Sequence, residues 1–354
     1  MLVLERIRKR LESFTLNIDE LVIESGDYFV VLGLSGAGKT TLLEMIAGFR
    51  KPDSGKILLD GEDVTNKPIN ERKIVMCHGR FLFPHMSVEE NIGYGIRDKR
   101  RRRGRVREVA EMLGIEHLLQ RSPETLSMGE QQRVALARAL AVEPKVILLD
   151  EPLNSLDRLT HESMLMELRR IHEESGITFV HVTHDFIEAI SLASRMAILR
   201  DGRIEQCGSV EEILRRPRNE FVARFVGVKN IFEGAVYSEN GRYVFEGDLS
   251  ITLEGCFGEG KMKIGIRPED VLIISNDNCR LGGKNVFEAK VLDVQPITLS
   301  TVRVTLEVNG VELVAETIKS KAMRMGLRKG TNVRICVTSA IPITDINPSS
   351  KGFP

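Results

Sequence analysis

Tryptophan is absent from this chain, and aromatic residues make up only 5% of its 354 residues. Proteins that hold single-stranded nucleic acid by stacking need rows of aromatic faces, so such a platform is not expected. An excess of one charge is missing too. Lys+Arg and Asp+Glu both total 50, giving a formal net charge of zero, which argues against nucleic acid as a main partner. No apolar run approaches the ~20 residues that cross a bilayer as a helix. The opening residues Met1-Leu2-Val3-Leu4-Glu5 lack the apolar stretch of a secretory signal. A cytoplasmic location is expected, with any membrane role exercised through a partner. Cysteine is sparse: Cys77, Cys207, Cys256, Cys279 and Cys336 are scattered, with no C-x-x-C pair. That pattern reads as reduced thiols used as small apolar residues. The remaining composition, 42% apolar and 28% charged, is that of a globular protein, and the length allows two or three domains.

What the chain does have is a glycine-rich turn. Gly33-Leu34-Ser35-Gly36-Ala37-Gly38-Lys39-Thr40 follows the apolar run Tyr28 to Leu32 and precedes the helical pattern Thr41 to Gly48. The spacing G-x-x-x-x-G-K-[ST] lets backbone N–H groups turn inward around phosphate oxygens without Cβ clashes. Lys39 then reaches the β- and γ-phosphates of a nucleotide, the Thr40 hydroxyl is placed for Mg²⁺, and Thr41 opens a helix whose positive end faces the same phosphates. A second element, Val146-Ile147-Leu148-Leu149-Asp150-Glu151-Pro152, is an apolar strand ending in two acids. Asp150 suits the Mg²⁺ shell and Glu151 suits a general base for water.

The rest of the pattern is mixed α/β up to about residue 227. Helical spacing is read over Val106 to Leu119, Glu130 to Leu140 and Leu159 to Glu174. Apolar strand runs stand at Thr178 to Val182 and Met196 to Leu199, the latter turning at Asp201-Gly202 into a hairpin. The basic run Lys99 to Arg107 is expected to be a solvated helix face or helix entry. Beyond Gly227 short alternating strands with Gly, Asn and Asp turns take over, with almost no helical periodicity. Asn230 to Val236 resembles Asn285 to Val291, and Lys261 to Ile266 resembles Asn332 to Val337. Two related halves in the same order predict a duplicated strand module closing into one small barrel.

Between the two nucleotide elements stands Leu126-Ser127-Met128-Gly129-Glu130-Gln131-Gln132-Arg133. Here the chain resembles the ATP-binding-cassette family, whose signature is LSGG[QE]-x-Q-R. The resemblance covers residues 1 to about 228 and rests on an ordered set. Besides the loop and the acidic strand, that set includes the D-loop Ser155-Leu156-Asp157 and the switch histidine His184 in His181-Val182-Thr183-His184-Asp185. The resemblance implies an α/β P-loop NTPase domain over 1–228, with a helical subdomain at about 85–143, followed by an all-β OB-like domain over 229–354. It implies ATP and Mg²⁺ as ligands, and Glu151 and His184 as the catalytic pair. Ser127, Gly129 and Glu130 would serve the nucleotide of the second copy in a homodimer. It further implies two integral membrane permease subunits, docked near His78 to Tyr94, and a place on the cytoplasmic face of the cell membrane.

Three positions depart from the family pattern. His78 stands where the Q-loop glutamine is expected, and imidazole is a poorer Mg²⁺ ligand than an amide oxygen. Met128 replaces the first signature glycine. Arg10 occupies the adenine-stacking position, with Phe14 nearby. The segments Ile264 to Asp270 and Glu316 to Gly330 resemble the C-terminal domains of importer ATPases of the molybdate/tungstate type. An oxyanion cargo delivered by an extracytoplasmic binding protein is therefore expected, with Lys319, Ser320, Thr338 and Ser339 as candidates for anion sensing. Sulfate, ferric iron, polyamine or sugar import is the alternative, and a soluble cassette ATPase uncoupled from transport is the alternative of another class.

Overall fold

The computed structural model describes residues 1–12, 14–78, 81–154, 156–239, 241–255, 257–274 and 285–344, leaving aside the side chain of His78. Two compact units form, residues 1–210 and 211–354.

The first unit contains two sheets. An antiparallel one has the order β2-β1-β4-β5, from β1 (Leu2–Arg10), β2 (Thr15–Ile23), β4 (Ser54–Leu59) and β5 (Glu62–Asp63). The other has the order β10-β9-β3-β8-β7-β6. It is built from β3 (Tyr28–Gly33), β6 (Ile74–His78), β7 (Val146–Asp150), β8 (Thr178–Thr183), β9 (Arg195–Arg200) and β10 (Arg203–Ser209). All its pairs are parallel except the β9–β10 hairpin. Every residue of β3, β7 and β8 is buried, which is why those strands read as unbroken apolar runs rather than alternating ones. Between the sheets lies the apolar helix α1 (Lys39–Ala47), whose Leu42, Leu43, Met45 and Ile46 join the common core.

Three helices, α2 (Val88–Gly93), α3 (Lys99–Met112) and α4 (Met128–Ala141), fill the segment expected to be helical. α3 starts earlier and stops earlier than its apolar spacing predicts. Its basic first half is mostly exposed, and burial begins only at Val106. Cations at a helix N-terminus oppose the dipole; Asp98 offsets this by accepting from the Arg100 N–H. α5 (Arg158–Ser175) and α6 (Phe186–Leu192) complete this unit.

Two short helices, α7 (Val210–Arg215) and α8 (Glu220–Phe225), lead into the second unit, separated by a stretch that contains Pro217. The strands β11 (Asn230–Glu239), β12 (Arg242–Gly247), β13 (Ser250–Leu253), β14 (Gly260–Ile266), β15 (Val271–Ile274), β16 (Val286–Pro296), β17 (Thr301–Val308), β18 (Val311–Ile318), β19 (Asn332–Val337) and β20 (Ile341–Ile343) form two sheets. Their orders are β13-β12-β11-β14-β20 and β15-β19-β16-β17-β18, and they share one apolar core, an OB-like all-β arrangement. The internal repeat is real at the level of register. Phe232 pairs with Ile264 and Phe287 with Ile335; Glu233 pairs with Lys263 and Glu288 with Arg334. The two halves also exchange their last strands: β15 follows β14 but pairs with β19, and β20 follows β19 but pairs with β14. Each half's leading asparagine stitches the other half. Asn230 donates to the carbonyls of Ile266 and Val314 and accepts from the Val314 N–H, while Asn285 donates to the Thr252 carbonyl and accepts from the Thr252 N–H. The short helix α9 (Lys319–Arg324) is a difference from the strand-only reading; six residues are too few to show a helical period.

Candidate functional site

In the parallel sheet β3, β8 and β7 are neighbours, so their C-terminal ends share one edge. This is where α/β sheets place their ligands. β3 delivers the glycine-rich loop, β7 delivers Asp150 and Glu151, and β8 delivers His184 just past Thr183. The loop's shape needs its glycines. Gly38 has φ +104°, and a Cβ there would lie 2.9 Å from the Phe14 ring; one on Gly33 would lie 2.5 Å from the Leu199 carbonyl oxygen. Phe14 thus packs over the loop, whereas Arg10 is the exposed end of β1.

Lys39 is only 5% exposed. Its ammonium donates to the carbonyl oxygens of Gly33 at 2.8 Å and Leu34 at 3.2 Å, and it lies 3.6 Å from Glu151 Oε1. A buried cation wrapped by a glycine cradle is a fit for a polyanion such as a triphosphate. The Thr40 hydroxyl donates to Asp150 Oδ1 at 3.1 Å, two hard oxygen donors side by side and so a fit for Mg²⁺. Glu151 has φ +43°, rare for a side-chain-bearing residue and worth ~1–3 kcal/mol of strain. Three contacts hold it. Its N–H donates to the Val182 carbonyl, its Oε2 accepts from Asn154 at 3.0 Å, and His184 Nδ1 lies 3.5 Å from the same oxygen. Lys39, Thr40, Asp150, Glu151 and His184 are thereby brought together as the sequence pattern predicts.

Ser127, Gly129, Glu130 and Asp157 gather elsewhere. Ser127 caps α4: its hydroxyl accepts from the Glu130 N–H while the Glu130 carboxylate accepts from the Ser127 N–H, a reciprocal capping box. Those bonds hold the Glu130 carboxyl below its usual range. Asp157 caps α5 through the Thr160 N–H and hydroxyl, which lower its carboxyl likewise. Gly129 faces Thr160, so the two helix starts are adjacent. Among the described residues, no hydrogen bond joins this group to the phosphate loop. Backbone pairing sets His78 opposite Asp150, at the same sheet edge; its side chain and Ser155 lie outside the described residues. Lys319 and Ser320 open α9, and the Thr338 hydroxyl donates to the Asp270 carbonyl.

Sequence reasoning missed several side chains. Arg72, 2% exposed, donates to the carbonyls of Met45, Ile46, Thr65 and Lys67, closing the C-terminal end of α1. Asn91 is fully buried and ties Phe83, Met86 and Ser87 to α2. Near His184, the buried Tyr28, His181 and Glu188 and the half-buried His161 form a polar row. Burial and then the Glu188 charge push the Tyr28 phenol well above its ordinary value. The only hint in the sequence was the first histidine, His181, of the H-V-T-H-D run.

A glycine-rich loop between a parallel strand and its helix, with acids ending the next strand but one, is the P-loop NTPase class of α/β protein. The ABC transporter family model matches residues 16–154. The molybdate/tungstate import ATP-binding protein WtpC of Pyrococcus horikoshii is 43% identical over 338 residues, covering 94% of this chain and 96% of that protein. The spermidine/putrescine import ATP-binding protein PotA of Protochlamydia amoebophila is 40% identical, covering 83% and 82%. Among solved structures, the dimeric post-hydrolysis state of the ATP-binding cassette MJ0796 bound to ADP and Pi is 31% identical. It covers 59% of this chain and 99% of its own, with a TM-score of 0.52. The chain belongs to the ATP-binding-cassette transporter family.

Proposed function

We propose that this chain is the ATP-hydrolysing subunit of an importer for molybdate or tungstate. In this reading it works as a homodimer on the cytoplasmic face, under two permease subunits supplied by an extracytoplasmic oxyanion-binding protein. The observation that carries the catalytic part is the joint placement of Lys39, Glu151 and His184 at one strand edge. Lys39 binds the β- and γ-phosphates, exchanging its loop carbonyls for phosphate oxygens. Glu151, freed from Lys39 by that exchange, orients and deprotonates the attacking water, and His184 steadies its carboxylate. Mg²⁺, held by Thr40 and Asp150, would supply neutralisation of charge on the phosphate oxygens. Ser127 and Gly129 stand at the positive N-terminal end of α4 and would close over the nucleotide of the second copy.

The cargo reading is supported by the similarity to molybdate/tungstate import proteins over nearly the whole chain, including the OB-like unit. The docking reading is supported by a groove of about 550 Å³ between α2 and α3, lined by Met86, Arg102 and the exposed Tyr94 among others, and by the exposed Phe81 in the same segment of chain. Polyamine import is the second reading, on the similarity to PotA proteins.

Two measurements test the proposal. In vesicles carrying the permeases, tungstate-loaded binding protein should stimulate ATP hydrolysis and polyamine-loaded protein should not; the reverse result replaces the cargo. Glu151→Gln should lower turnover by ~10²–10⁴-fold, as loss of a general base does, while ATP still binds and now holds two copies together. A variant that stays monomeric with ATP would refute the sandwich.

A further inference from the structure

The polar row near His184 holds more charge than the hydrolytic reading uses. Glu188 is 4% exposed. Its Oε1 lies 3.0 Å from His161 Nε2, and its Oε2 lies 3.2 Å from His181 Nε2. The second approach is an ion-pair contact, and neither Glu188 Oε2 nor His181 Nε2 has a hydrogen-bond partner among the described residues. Burial pushes the Glu188 carboxyl up, but His181, Thr183 and His161 together pull it below its ordinary value, so it is kept as an anion. A buried carboxylate is costly unless something positive satisfies it, and here the two imidazoles that flank it are its nearest compensation.

Asp185 adds a second carboxylate. Its Oδ1 caps α6 through the Ile187 N–H at 2.6 Å, leaving the other oxygen for a ligand. Donor atoms of His161, Asp185 and Glu188 all lie within 4.8 Å of one another. Ligands around a tetrahedral Zn²⁺ stand about 3.4 Å apart, given bonds near 2.1 Å, so the 3.0 Å His161–Glu188 pair is already close to that spacing. All three residues line a cavity of about 170 Å³ that also receives His184 and Glu151. An imidazole with two carboxylates suits a borderline divalent cation such as Zn²⁺; Mg²⁺ prefers oxygen alone. The plain alternative is a pair of imidazole–carboxylate contacts fastening α5 and β8 to α6, with Asp185 as the helix cap; it gives no role to the second Asp185 oxygen, which lines the same cavity.

We propose that His161, Asp185 and Glu188 form a site for one transition-type divalent cation, and that its occupancy slows hydrolysis by fixing the segment that carries His184. Asp185 directly follows His184, so a cation clamping Asp185 to α5 and α6 removes the freedom that the histidine needs to follow its substrate. The slowing rests on the catalytic roles given above; the binding does not, and the two are measured apart.

Calorimetric titration of the full, nucleotide-free chain with Zn²⁺ alone reads the binding. One equivalent should bind. His161→Gln and Asp185→Asn, which keep the hydrogen bond and the helix cap, should each weaken it by at least ~100-fold, beyond the loss of an outer-shell partner. His184→Ala should bind as the parent does. No saturable binding, or binding unchanged in His161→Gln, overturns the site. So does binding lost with His184→Ala and kept in His161→Gln, which would place the cation on the hydrolytic pair. For the slowing, buffered Zn²⁺ at saturation should lower the turnover of the parent by at least about tenfold and leave that of His161→Gln unchanged. Equal inhibition of both overturns the coupling. A normal rate in Glu151→Gln would instead strike the catalytic reading and leave the binding result standing.

Discussion

The two units bury polar side chains very differently. Residues 1–210 bury Lys39, Arg72, Asp150, His181 and Glu188 beside several amides and hydroxyls. Among the described residues of 211–354 only Asn230 is a buried polar side chain. Both units have full apolar cores, so the contrast is not one of size. Taking charge out of water is unfavourable and persists only where the surroundings compensate it. The first unit compensates its charges one by one: loop carbonyls around Lys39, helix-end carbonyls around Arg72, imidazoles around Glu188. The second unit gains its order from a repeated strand register and needs one amide to join its halves. A desolvated, individually satisfied charge is what a site for a highly charged substrate requires, and the first unit alone is built that way.

Replacing Arg72 should have the largest effect on stability. Methionine fills similar volume but leaves four carbonyls without a donor, three of them in buried bonds and two at the negative end of α1. The expected loss is ~3–5 kcal/mol. Arg72→Lys should recover less than half, because a point charge cannot reach four carbonyls at once. Hydrogen exchange should show the loss in α1 and β3, with residues 211–354 unchanged. A loss below that of the Asn230 variant would break the comparison.

Asn230→Ala is the counterpart in the second unit. It removes one neutral amide that serves Ile266 and both backbone groups of Val314. About 2 kcal/mol is expected, the cost of leaving such buried groups unpaired, and exchange should quicken in β14 and β18 but not in α1. Urea unfolding with exchange readout checks both number and place.

How far the sequence revealed these features depends on whether their cause is local. The glycine-rich loop, the acidic end of β7 and the signature run at Leu126 to Arg133 are consecutive residues whose spacing is itself the chemistry. Periodicity likewise located α4 and α5 to within two residues at each end. α3 was misplaced because its first two turns have no apolar face, and α9 was missed because it has fewer than two turns. Arg72, Asn91 and Glu188 were illegible for another reason: their partners come from distant parts of the chain, and nothing near Arg72 announces that a helix ends above it. The repeat at Asn230 and Asn285 was visible as similarity, but the strand exchange was not, since each strand's sequence fits either sheet.

The smallest expected effect sharpens the comparison from outside the cores. Asp60 is 40% exposed and accepts from Lys145 while pairing with the Met1 ammonium at 2.7 Å. The Lys145 bond, aided by the ammonium, lowers its carboxyl to about 2 from 3.8. The folded value lies below the unfolded one, so the stabilisation is fully present above about pH 4 and is lost as pH falls toward about 2. Screening at so exposed a site limits it to under about 1 kcal/mol. Asp60→Asn is a clean probe: the residue has φ +52° in a turn before Gly61, a conformation asparagine also accepts. Urea unfolding at falling pH should show parent and variant separated by that margin near neutrality and converging in acid. A separation that persists at the lowest pH would mean that something other than the carboxylate charge is responsible. One that exceeds the Asn230 effect would mean that burial is not what ranks polar groups here, and the contrast between the units would lose its physical basis.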